Sequence, residues 1–418
     1  MAIRKTIGRD CELSTTGLTA DGRTVRPWRV TRHVLAHIRA AFEEMGGRVW
    51  SLPVRLPPAG GSRSLDTEEG TESHASGGTQ YGAQSSDTLR HWASSGQCFY
   101  ADMAHVEAAT AETAEPRKLA AQCLSALRVC EAARRRAESS ASPGTTYALT
   151  TANVDIVDPG TSWGTHFNVS VDPELWEDLF RTVRHPTRLG FVASAIAALI
   201  PFFGAGYILP FRSGARYGLS GRAHHLRRLS TLTTTEAYGR GLLNERREAH
   251  SESEDRLHLI GFDCALASNA LLASTLQCTL AAAELGLRIE GLYDPVLAAT
   301  VWSLGLDIGT GRPIGVARRE SGKAATLPQF VRELVTFLIR RVDDGSIPDD
   351  IAPGASELLP TVLELTHYLE EGSIGRAATH LDWAAKLMVL TDMCQREGIP
   401  LDDTRVRVAD HDYASTDP

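Results

Sequence analysis

The chain has 418 residues, 43% hydrophobic and 22% charged, with a formal net charge of −8. That is enough chain to bury a substantial core, and nothing in the overall charge favours nucleic acid or an anionic membrane surface. Seven cysteines, spread singly and without a C-x-x-C pair, argue against a zinc ribbon or a disulfide framework and for a reducing cytoplasm. Met1 to Arg9 carries basic residues but no apolar run, so no signal peptide is expected.

Residues 6–16 are predicted to form the first strand. Asp10 and Glu12 alternate with Cys11 and Leu13, so both carboxylates face one side. Two such acids repel, and either a bound metal or exposure to water relieves the repulsion. Val30–Gly46 has helical spacing. Residues 53–97 are rich in Pro, Gly, Ser and Thr with few large apolar side chains, and are predicted to be a long mobile loop, either a lid or a plain insertion. The loop empties into the stretch of greatest chemical interest. Cys98-Phe99-Tyr100 reads as a short strand running into a polar turn with Asp102, His105 and Glu107, and Glu112 beyond. Carboxylates held at this density suit a hard cation such as Mg²⁺, a general base or a nucleophile. A solvated acidic turn is the plain alternative.

Leu119, Cys123, Leu127 and Cys130 keep helical spacing, and Arg134 to Arg136 follow as a solvated face near the end, where cations suit the dipole. Strands are expected at Tyr147–Val157 and Trp163–Val171, the second alternating His166, Asn168 and Ser170 with Phe167, Val169 and Val171. A helix near Pro173–Val183 and an apolar helix at 189–200 follow. Leu189–Pro210 is uncharged and long enough to span a bilayer, but Pro201, Gly204 and Gly206 interrupt it, so a buried helix and a glycine turn are expected. Three segments bearing arginine and histidine come next: Ser220–His225, Asn244–His250 and Arg256–His258. They suit polyphosphate, because arginine's fork matches phosphate oxygens, or else form a basic surface patch. No G-x-x-x-x-G-K-[ST] loop occurs, and Gly305, Gly309 and Gly311 make only a weak turn. Ala265–Leu285 reads as a core helix. Amphipathic helices are expected at Gln329–Arg341, Glu357–Glu370 and His380–Gln395, the last with Asp382 and Lys386 spaced i,i+4.

Taken in order, these segments resemble the Pup ligase and Pup deamidase (depupylase) family of glutamine synthetase-like carboxylate–amine ligases. Gly8-Arg9-Asp10-Cys11-Glu12 is similar to a magnesium-binding G-x-E-x-E strand, and the run from Tyr100 to Glu107 to Y-x-D-x-x-x-P-E. Ser162-Trp163-Gly164-Thr165-His166-Phe167-Asn168 resembles S-Y-G-x-H-E-N, and Leu219-Ser220-Gly221-Arg222-Ala223 resembles L-S-Q-R-A. Asn244–His250 resembles N-T-R-D-E-P-H, Arg256-Leu257-His258 resembles R-L-H, and Leu381–Leu387 resembles L-D-W-x-x-K-L. Ala104-His105 and the preceding loop look closer to the deamidase branch.

The resemblance implies an α+β fold: a curved, mostly antiparallel sheet packed by helices, with the active site on its concave face. It implies one catalytic domain over residues 1–418, helical from about 325, with ATP and Mg²⁺ as cofactors. Asp10, Glu12 and Glu107 would hold the metal. His166, Arg222, Asn244, Arg256, His258 and Trp383 would line the nucleotide, and Arg246 the phosphoryl-transfer region. Asp102 would be the catalytic carboxylate, a base in a ligase or a nucleophile or water activator in a deamidase. The leading activity is formation of an amide or isopeptide bond from a carboxylate and an amine; an amide hydrolase and a non-catalytic nucleotide binder are the alternatives. Departures are Phe167 for a glutamate, the shorter Asp10, Arg247 for an aspartate, Val106 and Ala108 flanking Glu107, and Ala273 near a family lysine. The family also continues into a small C-terminal domain soon after the position of His411-Asp412. A small molecule or short peptide is therefore expected as substrate rather than Pup itself, with a ubiquitin-like peptide as a further candidate.

Overall fold

The computed structural model describes residues 2–54, 88–156, 158, 160–181, 186–211, 214–232, 240–246, 254–289 and 324–417, with short strands between 305 and 318. A ten-stranded sheet organises it. Strand β1 (Ile7–Leu18) is followed by helices α1 (Pro27–Ala36) and α2 (Ile38–Glu44), broken at His37 where one continuous helix was expected. β2 (Val49–Val54) pairs antiparallel with β3 (Thr88–Ala93), so both ends of the expected loop are strand; residues 55–87 lie outside the described residues. β4 (Cys98–Asp102) and β5 (His105–Ala109) follow. The expected acidic turn is therefore a hairpin. Only Met103 and Ala104 turn the chain, with Met103 at a positive φ of 49°, and Glu107 lies on the return strand opposite Tyr100.

Helix α3 (Pro116–Ser140) opens on a proline at its first turn and buries Leu119, Cys123, Ala126, Leu127 and Cys130 along one stripe. β6 (Thr146–Thr150), β7 (Thr165–Val171), α4 (Pro173–Phe180) and α5 (Pro186–Phe202) come next. Ala193 to Ile200 of α5 is buried without a break, as a helix apolar on every side requires; among the described residues no helix is long and apolar enough to cross a membrane. β8 (Tyr207–Phe211) and β9 (Gly214–Gly218) start a smaller sheet, and a 3₁₀ turn at Arg222–His225 leads to β10 (Leu226–Thr231), β11 (Arg240–Asn244), β12 (Asp255–Phe262) and α6 (Asn269–Glu284). Four helices, Leu327–Asp343, Ala355–Glu370, Asp382–Glu397 and Thr404–Asp412, carry most of the remainder, the first closed by a Thr326/Gln329 capping box.

The main sheet runs β10-β11-β12-β7-β1-β5-β4-β3-β2, with β6 also on β1, and only the β10–β11 pair is parallel. Its two faces differ. Cys11, Leu13, Phe99, Val106 and Ala108 pack with α1, α2 and α3 in one core cluster, while Phe167, Val169, Leu257, Leu259 and Phe262 pack with α5, α6 and the C-terminal helices in another. The opposite face carries the polar side chains.

Two local expectations are corrected. Arg134 is buried, not part of a solvated face: it ion-pairs with Glu131 at 2.7 Å and Glu138 at 2.8 Å, and Asp417 joins at 3.3 Å. The C-terminal residues are thus fastened beside β6, where Thr151 N–H donates to Ala414. Asp382 and Lys386 do not pair with each other. Asp382 accepts the backbone N–H groups of Leu266 and Ala267, and Lys386 reaches Asp410 at 3.1 Å and the Gly206 carbonyl at 3.0 Å.

Candidate functional site

Strand alternation places the site. β1 lies between β5 and β7, with Glu12 opposite Glu107 and Asp10 opposite His166. The odd-numbered neighbours on β1 go into the core, so Asp10 and Glu12 are forced onto the polar face together. There, ligand atoms of Glu12, Asp102 and Glu107 lie within 4.8 Å of one another, and so do those of Asp10, Glu107 and His166. Glu107 belongs to both groups.

Glu107 is 5% exposed. Burial, and then the charges of Asp10, Glu12 and Asp102, push its carboxyl well above the usual range, although a hydrogen bond from Tyr100 acts the other way. An anionic Glu107 in this position needs a cation, because three neighbouring carboxylates and a low dielectric all oppose its charge. The donors are all carboxylate oxygens and one imidazole, a set suited to a hard divalent ion. The residues present therefore fit magnesium.

The histidines are held neutral and fixed. His166 Nε2 lies 3.8 Å from Glu12, and burial, with His258 and Arg222 next, keeps its pKa well below the ordinary value. His258 packs edge-on to His166 at 4.9 Å, and its Nδ1 sits 2.6 Å from Asn168 Oδ1; Asn168 in turn donates to Asp10 at 2.8 Å. Burial, then Arg256, lowers His258 to about 3. His105 stacks on Trp163 at 5.0 Å and points Nδ1 at Glu12 from 4.0 Å, with burial bringing its pKa to about 4. A neutral imidazole is the ligand form. Gly164 donates its N–H to Glu12 at 2.6 Å, and a Cβ there would fall 2.0 Å from His166 Nε2, so the close approach requires glycine.

The arginines divide. Arg246 and Arg256 are half-buried, and the Arg256 charge acts on Asp10. Arg222 is enclosed: its guanidinium donates to Ser162 Oγ at 3.1 Å and the Ile260 carbonyl at 2.5 Å, and burial pushes it down to about 9. It supports the Glu12 side from within rather than offering an open fork. Asn244 is fully buried opposite His258 and caps the Arg246 N–H. Arg247 to His250 lie outside the described residues.

Trp383 is a correction. It is 1% exposed, its indole N–H donates to the Phe202 carbonyl at 2.9 Å, and its own carbonyl takes the Tyr217 hydroxyl. A ring so enclosed holds the C-terminal helices to α5 and offers no face to a nucleotide. Tyr100, Asn168, Gly164 and Arg240 were not singled out as site residues from sequence. Alternation on β7 marks Asn168 as a neighbour of His166. Arg240, whose charge acts on His166 and Arg222, carries no local signal; pairing of β11 beside β12 brings it there.

The fold and site define a glutamine synthetase-like α+β protein with clustered carboxylates on the polar face of its sheet. The chain belongs to the Pup ligase family: the family model described as Pup-ligase protein matches residues 60–418. A Pup–protein ligase of Xylanimonas cellulosilytica is 28% identical over 344 residues, 77% of this chain and 70% of that protein. A Pup deamidase/depupylase of Mycolicibacterium smegmatis is 29% identical over 335 residues, 76% of this chain and 61% of that one. The fold matches the ligase PafA in its complex with Pup, at a TM-score of 0.69 and 20% identity, over 99% of this chain and 73% of that one. It also matches PafA bound to ADP, at a TM-score of 0.64 and 21% identity, over 79% and 70%.

Proposed function

We propose that the protein is an ATP- and Mg²⁺-dependent carboxylate–amine ligase that joins a ubiquitin-like peptide's carboxylate to an amine on a protein. The observation that carries this reading is the pair of carboxylate groups sharing Glu107. The small-molecule substrate expected from sequence has no counterpart among the named relatives, which favour Pup-type substrates. We read the whole chain as one catalytic unit.

In this reading Asp10, Glu12, Asp102, Glu107 and His166 would hold magnesium, which would neutralise charge on the transferring phosphoryl group. Arg246 and Arg256 face the same charge from the β11–β12 side. Transfer to the substrate carboxylate gives an acyl phosphate; the amine then attacks its carbonyl, and phosphate leaves. The attacking amine must lose its proton, and in this reading Asp102, at the hairpin tip, would take it. Asp102 thus has two uses, because it also lies within ligand reach of Glu12 and Glu107.

Amide hydrolysis is the second reading, favoured by the depupylase relative and by Ala104-His105. Incubation with ATP, Mg²⁺, Pup and lysine-bearing proteins separates the two. ADP formed in step with a condensed product supports the ligase. Cleavage of a preformed conjugate without ADP formation would overturn it.

A further inference from the structure

Directly behind the carboxylates, on the packed side of the same strands, lies a cluster of thiols that the proposed chemistry does not use. Cys11 stands between Asp10 and Glu12 on β1. Its Sγ is 2.8 Å from Cys264 Sγ, and the two residues are 6% and 3% exposed. Arg9, 1% exposed, donates Nη2 to Cys264 Sγ at 2.8 Å and Nη1 to the Ala265 carbonyl and Asn269 Oδ1. The charge of the same guanidinium also acts on Cys123. Among the described residues, the ionisable group that accepts a hydrogen bond from this buried cation is the Cys264 thiol. The Arg9 charge also acts on the Asp382 carboxylate, but Cys264 takes the direct hydrogen bond from the guanidinium, and that contact favours a thiolate there.

We propose that Cys11 and Cys264 form a peroxide-oxidisable dithiol that closes to a disulfide and weakens cation binding at the carboxylates in front of it. The second half rests on the cation reading given above. The sulfurs need to approach by about 0.8 Å to reach the ~2.05 Å bond. Cys264 lines a cavity with Asn153, Gly206, Asp263, Leu266 and Asp382, which gives a small oxidant a route to a residue with little exposure. The Cys264 thiolate attacks one oxygen of hydrogen peroxide and breaks the O–O bond; the other oxygen leaves as hydroxide and takes a proton to become water. Cys11 then attacks the sulfenic sulfur, the S–O bond breaks, and the displaced hydroxide takes the Cys11 proton as a second water. Two thiols lose two electrons and one peroxide gains them. Closure draws Cys11 back, and Asp10 and Glu12 are its chain neighbours. Burial, and with it the Asp382 charge, raises the Cys264 thiol, but the Cys11 hydrogen bond and the Arg9 charge overcome both and bring the group to about 7.

The test treats the full-length protein with hydrogen peroxide, maps linked peptides by mass, and titrates Mn²⁺ before oxidation, after it, and after reduction with dithiothreitol. Loss of two of the seven thiols as a Cys11–Cys264 peptide is expected, with Mn²⁺ affinity falling about tenfold and returning on reduction. Cys264→Ala, checked for folding by thermal melt, is expected to keep its Mn²⁺ affinity under peroxide. No linkage, or a Cys123–Cys264 linkage, would overturn the dithiol. Linkage with unchanged Mn²⁺ affinity would overturn the coupling. If the reduced protein binds no Mn²⁺, the cation reading fails instead, and the peptide map still decides the dithiol.

Discussion

The two faces of β1 and β7 are built from the same residues in alternation, and they answer to different constraints. Asp10, Glu12, His166 and Asn168 face the carboxylate cluster; Arg9, Cys11, Leu13, Phe167 and Val169 face helices. A one-residue slip would exchange them all. Departures from the family pattern are easier to weigh once assigned to a face. Phe167, in place of a family glutamate, and Ala273, near the position of a family lysine, are both 0% exposed in the same core cluster. Replacing buried charges by apolar groups is often neutral or stabilising. Neither change removes a ligand from the polar face. Asp10 for glutamate is the change that falls among the ligands.

If that division is right, a substitution on one face leaves the other's property intact. Phe167→Ala is expected to cost about 3–5 kcal/mol of stability, measured by urea denaturation, while Mn²⁺ affinity of the folded protein stays unchanged. Glu107→Gln is expected to do the reverse. Removing the carboxylate common to both groups should weaken Mn²⁺ binding by roughly 100-fold or more, and the cation-free protein should melt at a higher temperature because the buried repulsion is gone. A melting temperature lowered without cation would contradict the electrostatic account.

A third prediction concerns His224 and His225, next to Arg222. Burial, then Arg227, holds His224 at about 4; burial, then Arg222, holds His225 at about 3. Both are neutral when folded and take up protons near pH 6.5 when unfolded. Their contribution is whole above pH 6.5 and is lost as pH falls towards 4, by up to about 1.4 kcal/mol per pH unit each. A flat urea midpoint between pH 7 and 5 would refute this. The smallest effect is expected from Gly164→Ala, about 1–3 kcal/mol, as the new Cβ displaces His166.

Much of this was legible in the chain. Period-two alternation gave β1 and β7 and put Asp10 with Glu12. The order of the motif segments, from Gly8–Glu12 to Leu381–Leu387, carried the resemblance to the family. What sequence did not convey is where a side chain spends its polar groups. Arg222, Arg134 and Trp383 all read as exposed or ligand-facing, yet each is buried and bonded to partners far along the chain. The Cys98–Glu107 stretch likewise shows its acids but not its hairpin, because a two-residue turn at Met103-Ala104 lacks the usual glycine or asparagine signal.

The most direct measurement traps the activated carboxylate with hydroxylamine. Wild-type protein with ATP, Mg²⁺ and Pup should release ADP and yield a hydroxamate. Asp102→Asn should retain some hydroxamate formation while losing the rate of joining to a protein amine by roughly 10²–10⁴-fold. Glu107→Gln should yield neither hydroxamate nor ADP. A wild-type protein that cleaves amides but gives no ADP and no hydroxamate would contradict the assignment.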